Sequence, residues 1–306
     1  MKRVLTAAAL IPVVLLIVFK APLWLFSLVV ALLIVLTLHE YLGIVEAAGI
    51  KPFRWLTYVV STLPILFALY SKWRGHDLPF ESGWLFSMNW QNLVTLSAVI
   101  FGIPLVFRKD LRMGLASVAA SVLGIVYVGV SLSLLINLQA DFVITLFLFL
   151  LFSVWAGDIA AYYIGKNIGK HKLAPIVSPN KSWEGAIASV VASVAMAYLI
   201  LHFHPQLIDF ILRIEGASLK DRALFVQYLR PVPLIHIVSL GILTNVAAQF
   251  GDLFESALKR GAGVKDSGTL IPGHGGLLDR IDALLFAIPV VWYYATQTGL
   301  LHKIND

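Results

Sequence analysis

Between Gly251 and Asp282 a chain that is otherwise oily gathers charge of both signs. Asp252, Asp266, Asp279 and Asp282 alternate with Lys259, Arg260, Lys265 and Arg280, and Glu255 stands among them. Six glycines and Pro272 lie between the two ends of the run. Asp252, Glu255, Ser256 and Lys259 are spaced to share one helical face. Asp252 closes an apolar stretch, where an unpaired carboxylate is costly; an interfacial cap or salt bridge would account for it taken alone. Asp279 and Asp282 open the next apolar stretch one turn apart, and a helix N-terminus favours carboxylates. That preference does not explain His274-Gly275-Gly276 just before them. Glycines let backbone N–H groups approach an anion closely. Arg280 and Lys265 are placed to add charge-assisted contacts to phosphate oxygens, and His274 suits a phosphate donor or loop organiser. Hard oxygens from Asp252 and Asp279 suit Mg²⁺, which takes one or two carboxylates together with substrate phosphates. The chemistry expected is that of a polyphosphate held by cations and metal.

A second cluster lies upstream. Trp155-Ala-Gly-Asp158 is followed by Tyr162, Gly165, Lys166, Gly169, Lys170 and Lys172. Asp158 is placed about two turns inside an apolar span, where an ionisable group is a functional candidate; a structural hydrogen bond beside Tyr162 or Tyr163 is the alternative. Then comes Ser178-Pro-Asn-Lys181-Ser182-Trp-Glu184-Gly185. Ser182 reads as an N-cap, Ser178, Asn180 and Lys181 as polar groups at the membrane face, and Glu184 as a first-turn charge rather than a base.

The elements that must position these groups are membrane helices. Of 306 residues, 59% are hydrophobic and only 13% charged, against about a quarter charged in soluble domains. Mean hydropathy is +0.87. The absence of cysteine excludes disulfides, thiolate metal sites and a cysteine nucleophile, and the net charge of +6 suits an anionic lipid surface. Stretches near the ~20 apolar residues that cross a bilayer fall at 4–19, 22–38, 55–71, 92–107, 113–137, 142–164, 184–203, 234–251 and 281–300. Met1-Lys2-Arg3 before an apolar run has the outline of a signal peptide, but similar runs recur along the chain, and it reads as the first span. The fold class expected is all-α and polytopic, about nine transmembrane helices in one bundle with a cytoplasm-facing polar site. Residues 1–110 group as N-terminal helices and 111–306 as C-terminal helices carrying the site. With the N-terminus inside, 15 of the 23 Lys and Arg fall on the cytoplasmic side, which puts 165–183 and 252–280 on that face. Residues 72–91 read as an interfacial aromatic segment and 204–233 as an amphipathic one.

Ser256-x₂-Lys259-Arg260-x₄-Lys265-Asp266-x₅-Pro272-x-His274-Gly275-Gly276-x₂-Asp279-Arg280-x-Asp282 resembles the signature of the phosphatidate cytidylyltransferases, or CDP-diacylglycerol synthases. The Asp158 region and Ser-Pro-Asn-Lys-Ser-Trp-Glu-Gly resemble the same family, with Asn180 and Ser182 where Lys and Thr are usual. The resemblance covers about 150–285; the first 110 residues match only as hydrophobic spans. It implies CTP and phosphatidic acid as substrates, CDP-diacylglycerol and pyrophosphate as products, and an Mg²⁺ requirement. Asp252 and Asp279 align with the family's metal-holding aspartates, and potassium is the candidate second ion. Catalytic roles are implied for Asp252, Lys259, Arg260, Lys265, Asp266, His274, Asp279, Arg280 and Asp282, and substrate contacts for Asp158, Ser178, Lys181, Ser256, Gly275 and Gly276. A homodimer in the cytoplasmic (inner) membrane is implied, with no nucleic-acid partner. A CTP-dependent lipid kinase of the polyprenol type shares nucleotide and topology and is the near alternative. An ion-coupled transporter is the distant one, disfavoured because no internal repeat is present and the charges gather at one face.

Overall fold

The computed structural model describes residues 20–73, 90–140, 144–214, 231–270 and 275–298, with isolated positions beside them. It is helical apart from one small hairpin. In chain order come α1 (Leu23–Ala47), α2 (Arg54–Trp73), α3 (Trp90–Val106) and α4 (Leu111–Gly124), which runs through a π-helical turn at Ile125–Val130 into α5 (Ser131–Ala140). Then come α6 (Ile144–Ile168), β1 (Lys172–Ala174), β2 (Ser178–Ser182), α7 (Trp183–His202), α8 (His204–Ile214), α9 (Leu234–Gly261) and α10 (Leu278–Gln297). Among the described residues five helical stretches are long and apolar enough to cross a membrane: Leu23–Ala47, Leu111–Ile136, Ile144–Ile168, Trp183–His202 and Leu234–Gly261. The chain is a multi-pass α-helical membrane protein. Most of the expected span at 4–19 lies outside the described residues, as does most of 72–91 and of 215–230.

Two differences from the sequence expectation bear on the site. Helices overrun the apolar spans, α1 by nine residues past 38 and α9 by ten past 251. Hydropathy marks only the oily part, whereas helical hydrogen bonding continues while side chains permit, and Lys259 and Arg260 suit the C-terminal end of the α9 dipole. The segment 165–183, expected as a loop, contains an antiparallel hairpin pairing Lys172 with Ser182 and Ala174 with Ser178. Its second strand, Ser178–Ser182, has no apolar alternation to announce it.

Packing divides the chain into two units, residues 1–136 with 257–281, and 137–256 with 282–306. In the first, Ile34, Leu38, Tyr41 and Leu42 of α1 are buried, as are Val60, Phe101, Ile125 and Val130. Tyr41 donates to the Ala120 carbonyl at 2.9 Å. The buried face of α4 is Gly114, Ser117, Ala120, Ser121 and Gly124; small residues let helices approach where lipid supplies no hydrophobic drive. The second unit repeats the device on α7, whose buried face is Gly185, Ser189, Ser193, Ala197 and Leu201. Asn245 of α9 donates to Ser189 Oγ at 2.8 Å and Ser193 Oγ at 2.7 Å. A Cβ at Gly157 of α6 would fall on those same polar atoms, so glycine is what allows α6 this close.

Candidate functional site

In the second unit, residues of three elements meet around Asp252. Lys181 of β2 reaches Asp252 Oδ2 with its Nζ at 2.6 Å, and Ser256 donates to Asp252 Oδ1 at 3.4 Å. Asp158 of α6 is exposed and lies within electrostatic reach of both Lys181 and Asp252. The hairpin is what delivers Lys181. Ser182 ends β2 and caps α7, accepting the Gly185 N–H at 3.2 Å, while Trp183 N–H donates to the His171 carbonyl at 2.9 Å. Glu184 accepts from His171 through its backbone N–H at 3.2 Å and pairs with His171 Nδ1 at 2.7 Å, the structural first-turn role expected of it. Ser178 stands half-buried at the start of β2. Two carboxylates sharing one lysine leave a net negative charge that attracts a cation.

In the first unit the charged run folds around Asp279, at the N-terminus of α10. Asp279 Oδ2 accepts the backbone N–H of Gly276 at 2.9 Å and of Ser267 at 3.1 Å. Its Oδ1 takes Lys259 Nζ at 2.5 Å, with both side chains only 12% exposed. The anion cradled by the Gly276 N–H is thus a carboxylate of the protein. Gly275 has φ near +81°, the left-handed region that favours glycine. A Cβ on Gly276 would fall on Ser267 Oγ and Glu40 Oε2. Arg260, Lys265, Asp266 and Arg280 are exposed. Asp282, which belongs to the second unit, accepts the Ala283 N–H at 2.8 Å. His274 lies outside the described residues.

The motif therefore draws on both units: Asp252, Ser256 and Asp282 in one, Lys259 to Arg280 in the other. Among the described residues no three acidic or histidine side chains converge on a point. A metal at either aspartate would take its remaining ligands from phosphate or water, as Mg²⁺ does. The donor type fits that ion within each unit: a hard carboxylate oxygen already drawing a cation, Lys181 at Asp252 and Lys259 at Asp279.

One residue at the site escapes sequence reasoning. Glu40 of α1 is buried at 3% exposure, with Oε2 accepting the Leu278 N–H at 2.7 Å and the Ser267 hydroxyl at 3.1 Å. Its signal is a carboxylate in an otherwise acid-free stretch of 45 residues, but the apolar span at 22–38 stops short of it and neither charged cluster includes it. Only the overrun of α1 makes it a buried one.

Comparison with known proteins bears on the whole chain. The sequence model described as "Cytidylyltransferase family" matches residues 1–297, a wider span than the motifs cover. The chain is 30% identical over 258 residues to a phosphatidate cytidylyltransferase of Staphylococcus saprophyticus, covering 83% of this chain and 85% of that one. It is 40% identical over 149 residues to the protein so named in Haemophilus influenzae, which is 49% of this chain and 45% of that one. It is 39% identical over 140 residues to the Bacillus subtilis protein of the same name, 46% and 43% respectively.

Proposed function

The chain belongs to the cytidylyltransferase family, and from that premise we propose that it transfers CMP from CTP to phosphatidic acid, giving CDP-diacylglycerol and pyrophosphate. The observation that carries the proposal is the agreement over 83% of its length with a protein named phosphatidate cytidylyltransferase. A phosphatidate oxygen attacks the α-phosphorus of CTP, and the bond to the β-phosphate oxygen breaks as pyrophosphate leaves. The attacking phosphomonoester has a second pKa near 6, so it arrives largely deprotonated and the step needs no general base. What it needs is positioning and charge neutralisation between two polyanions.

In this proposal Asp252 and Asp279 hold Mg²⁺, with a potassium ion as the second cation. When bound, Mg²⁺ would neutralise phosphate oxygens at the reacting centre. Lys181 and Lys259, each paired with one of those aspartates, supply charge to phosphate when the aspartates take metal. Arg260, Lys265 and Arg280 contribute further cations, and Gly275 and Gly276 act through their hold on Asp279. Beside Asp252 on α9, an open apolar groove of about 500 Å³ lined by Ala247, Phe250, Leu253, Phe254 and Phe286 offers diacylglycerol tails a place without leaving the bilayer. The protein works as a homodimer of nine-helix chains in the cytoplasmic membrane, its polar site facing the cytoplasm.

The test is incubation of the purified protein with phosphatidic acid, Mg²⁺ and CTP labelled separately at the α- and γ-phosphates. Transfer of the α-label to lipid with release of labelled pyrophosphate from the γ-label is the expected result. A γ-label on the lipid would make the protein a CTP-dependent lipid kinase instead.

A further inference from the structure

We propose that Glu40, inside α1, is a positioning residue for Asp279: it sets the direction of the Ser267 hydroxyl and holds the N-terminus of α10. The proposal rests on the cytidylyltransferase reading for its catalytic consequence, although its structural half stands without it.

The geometry runs through one oxygen. Glu40 Oε2 accepts the Leu278 N–H at 2.7 Å and the Ser267 hydroxyl at 3.1 Å. A hydroxyl has one proton to give. Because Ser267 gives it to Glu40, its lone pairs turn toward Asp279, whose N–H donates to Ser267 Oγ at 3.3 Å. The Ser267 N–H then returns a bond to Asp279 Oδ2 at 3.1 Å, beside the one from Gly276 at 2.9 Å. Asp279 is fixed at its backbone and at one carboxylate oxygen, so that Oδ1 is the oxygen presented to Lys259.

Three further observations show a built arrangement. Glu40 lies in the chain more than 220 residues from Ser267 and Leu278, so the contact is tertiary and not a local cap. The Leu278 N–H is one of the orphan donors that open a helix, and in the buried N-terminus of α10 a carboxylate meets both the dipole and the missing bond. Finally, the turn leaves no spare room around the carboxylate. A Cβ at Gly268 would come 2.5 Å from Glu40 Oε1, and one at Gly276 would strike Oε2. The glycines here make space for a side chain of α1.

Glu40→Gln, Glu40→Leu and Ser267→Ala separate this role from simple packing. Glutamine keeps an oxygen able to accept both bonds; leucine fills the volume and accepts none. The first readout is hydrogen–deuterium exchange of the peptide 265–281 in detergent, without metal or substrate. Faster exchange confined to that peptide is expected in Glu40→Leu and Ser267→Ala, with Glu40→Gln close to the parent. The second readout is CMP transfer. Turnover should fall at least about tenfold in Glu40→Leu through misplacement of Asp279, and by less than about threefold in Glu40→Gln, whose accepting oxygen survives. Combining Glu40→Leu with Ser267→Ala should add little to the larger single effect, because both act through one hydroxyl. Parent-like exchange and turnover in Glu40→Leu would overturn the proposal, as would additive losses in the double variant. If Glu40→Leu does not fold, the same comparison is made between Ser267→Ala and Glu40→Gln: parent-like exchange in Ser267→Ala, or a loosened turn in Glu40→Gln, overturns it. A parent protein that makes no CDP-diacylglycerol removes the catalytic reading, while the exchange result still decides whether Glu40 orders the turn.

Discussion

Asp279 has both carboxylate oxygens engaged, one by two backbone N–H groups and one by Lys259, and Asp252 meets Lys181 and Ser256. Asparagine keeps the shape and an accepting oxygen at either place but removes the charge that a divalent cation needs. Asp252→Asn and Asp279→Asn are each expected to abolish Mg²⁺-dependent CMP transfer while leaving a folded protein. A magnesium titration of each variant checks this, and near-parent turnover at saturating Mg²⁺ would strike that residue from the ligands. His274 follows from the substrate's own charge. In the proposed reaction the phosphatidate oxygen arrives deprotonated, so imidazole is not expected to be consumed as a base. His274→Gln should keep a substantial part of the activity, and His274→Ala should lose about 1.5–3 kcal/mol, the worth of one charge-assisted hydrogen bond. Rates of both variants between about pH 5 and 9 decide the matter. A general base would leave both equally inactive and remove the acid limb of the profile.

At the level of elements, what joins α6, α7 and α9 is closeness first and hydrogen bonding second. Interhelical hydrogen bonds in membranes average only about 0.6 kcal/mol, so Asn245→Ala, which removes the bonds to Ser189 and Ser193, should lower the thermal midpoint slightly. Gly157→Val pushes a branched side chain onto those same atoms and should lower it considerably more. Differential scanning fluorimetry in one detergent ranks the two, and the reverse order would mean that the polar network outweighs the close approach. At the start of α8, His204 is 1% exposed and donates from Nδ1 to the Leu201 carbonyl at 3.0 Å. Burial pushes its pKa below the ordinary 6.5. With the folded value lowered, the unfolded chain binds the proton more readily. Stability is therefore full above pH 6.5 and falls as the pH drops below it toward the folded value. Replacing His204 by Gln should flatten thermal midpoints measured between about pH 5 and 7. An unchanged slope would assign the pH dependence to other groups.

For the molecule as a whole, the proposed orientation is directly measurable, because the chain has no native cysteine. Cysteines placed singly at Lys172 of the hairpin and at Leu219, 79% exposed, should react with an impermeant maleimide from opposite sides. Lys172→Cys should label only in inverted vesicles and Leu219→Cys only in intact cells or spheroplasts; labelling from one common side would break the assigned topology. The composition and the long apolar runs suffice for the class of protein, because bilayer thickness and backbone hydrogen bonding leave helices as the simple solution for such runs. The dense charged run with its glycines likewise suffices to single out a candidate site, since Asp, Lys and Gly in such order have little other use in an oily chain. Local rules reached Ser182 as a cap and Glu184 as a first-turn charge, because both act within a few residues of themselves. Partners remote in the chain were another matter. That Lys181 meets Asp252, that Lys259 meets Asp279, and that Glu40 takes the first N–H of α10 depend on the hairpin and on the rotation at which helices that outrun their apolar spans pack. Hydropathy carries no record of either, so only the tertiary structure could choose those pairs.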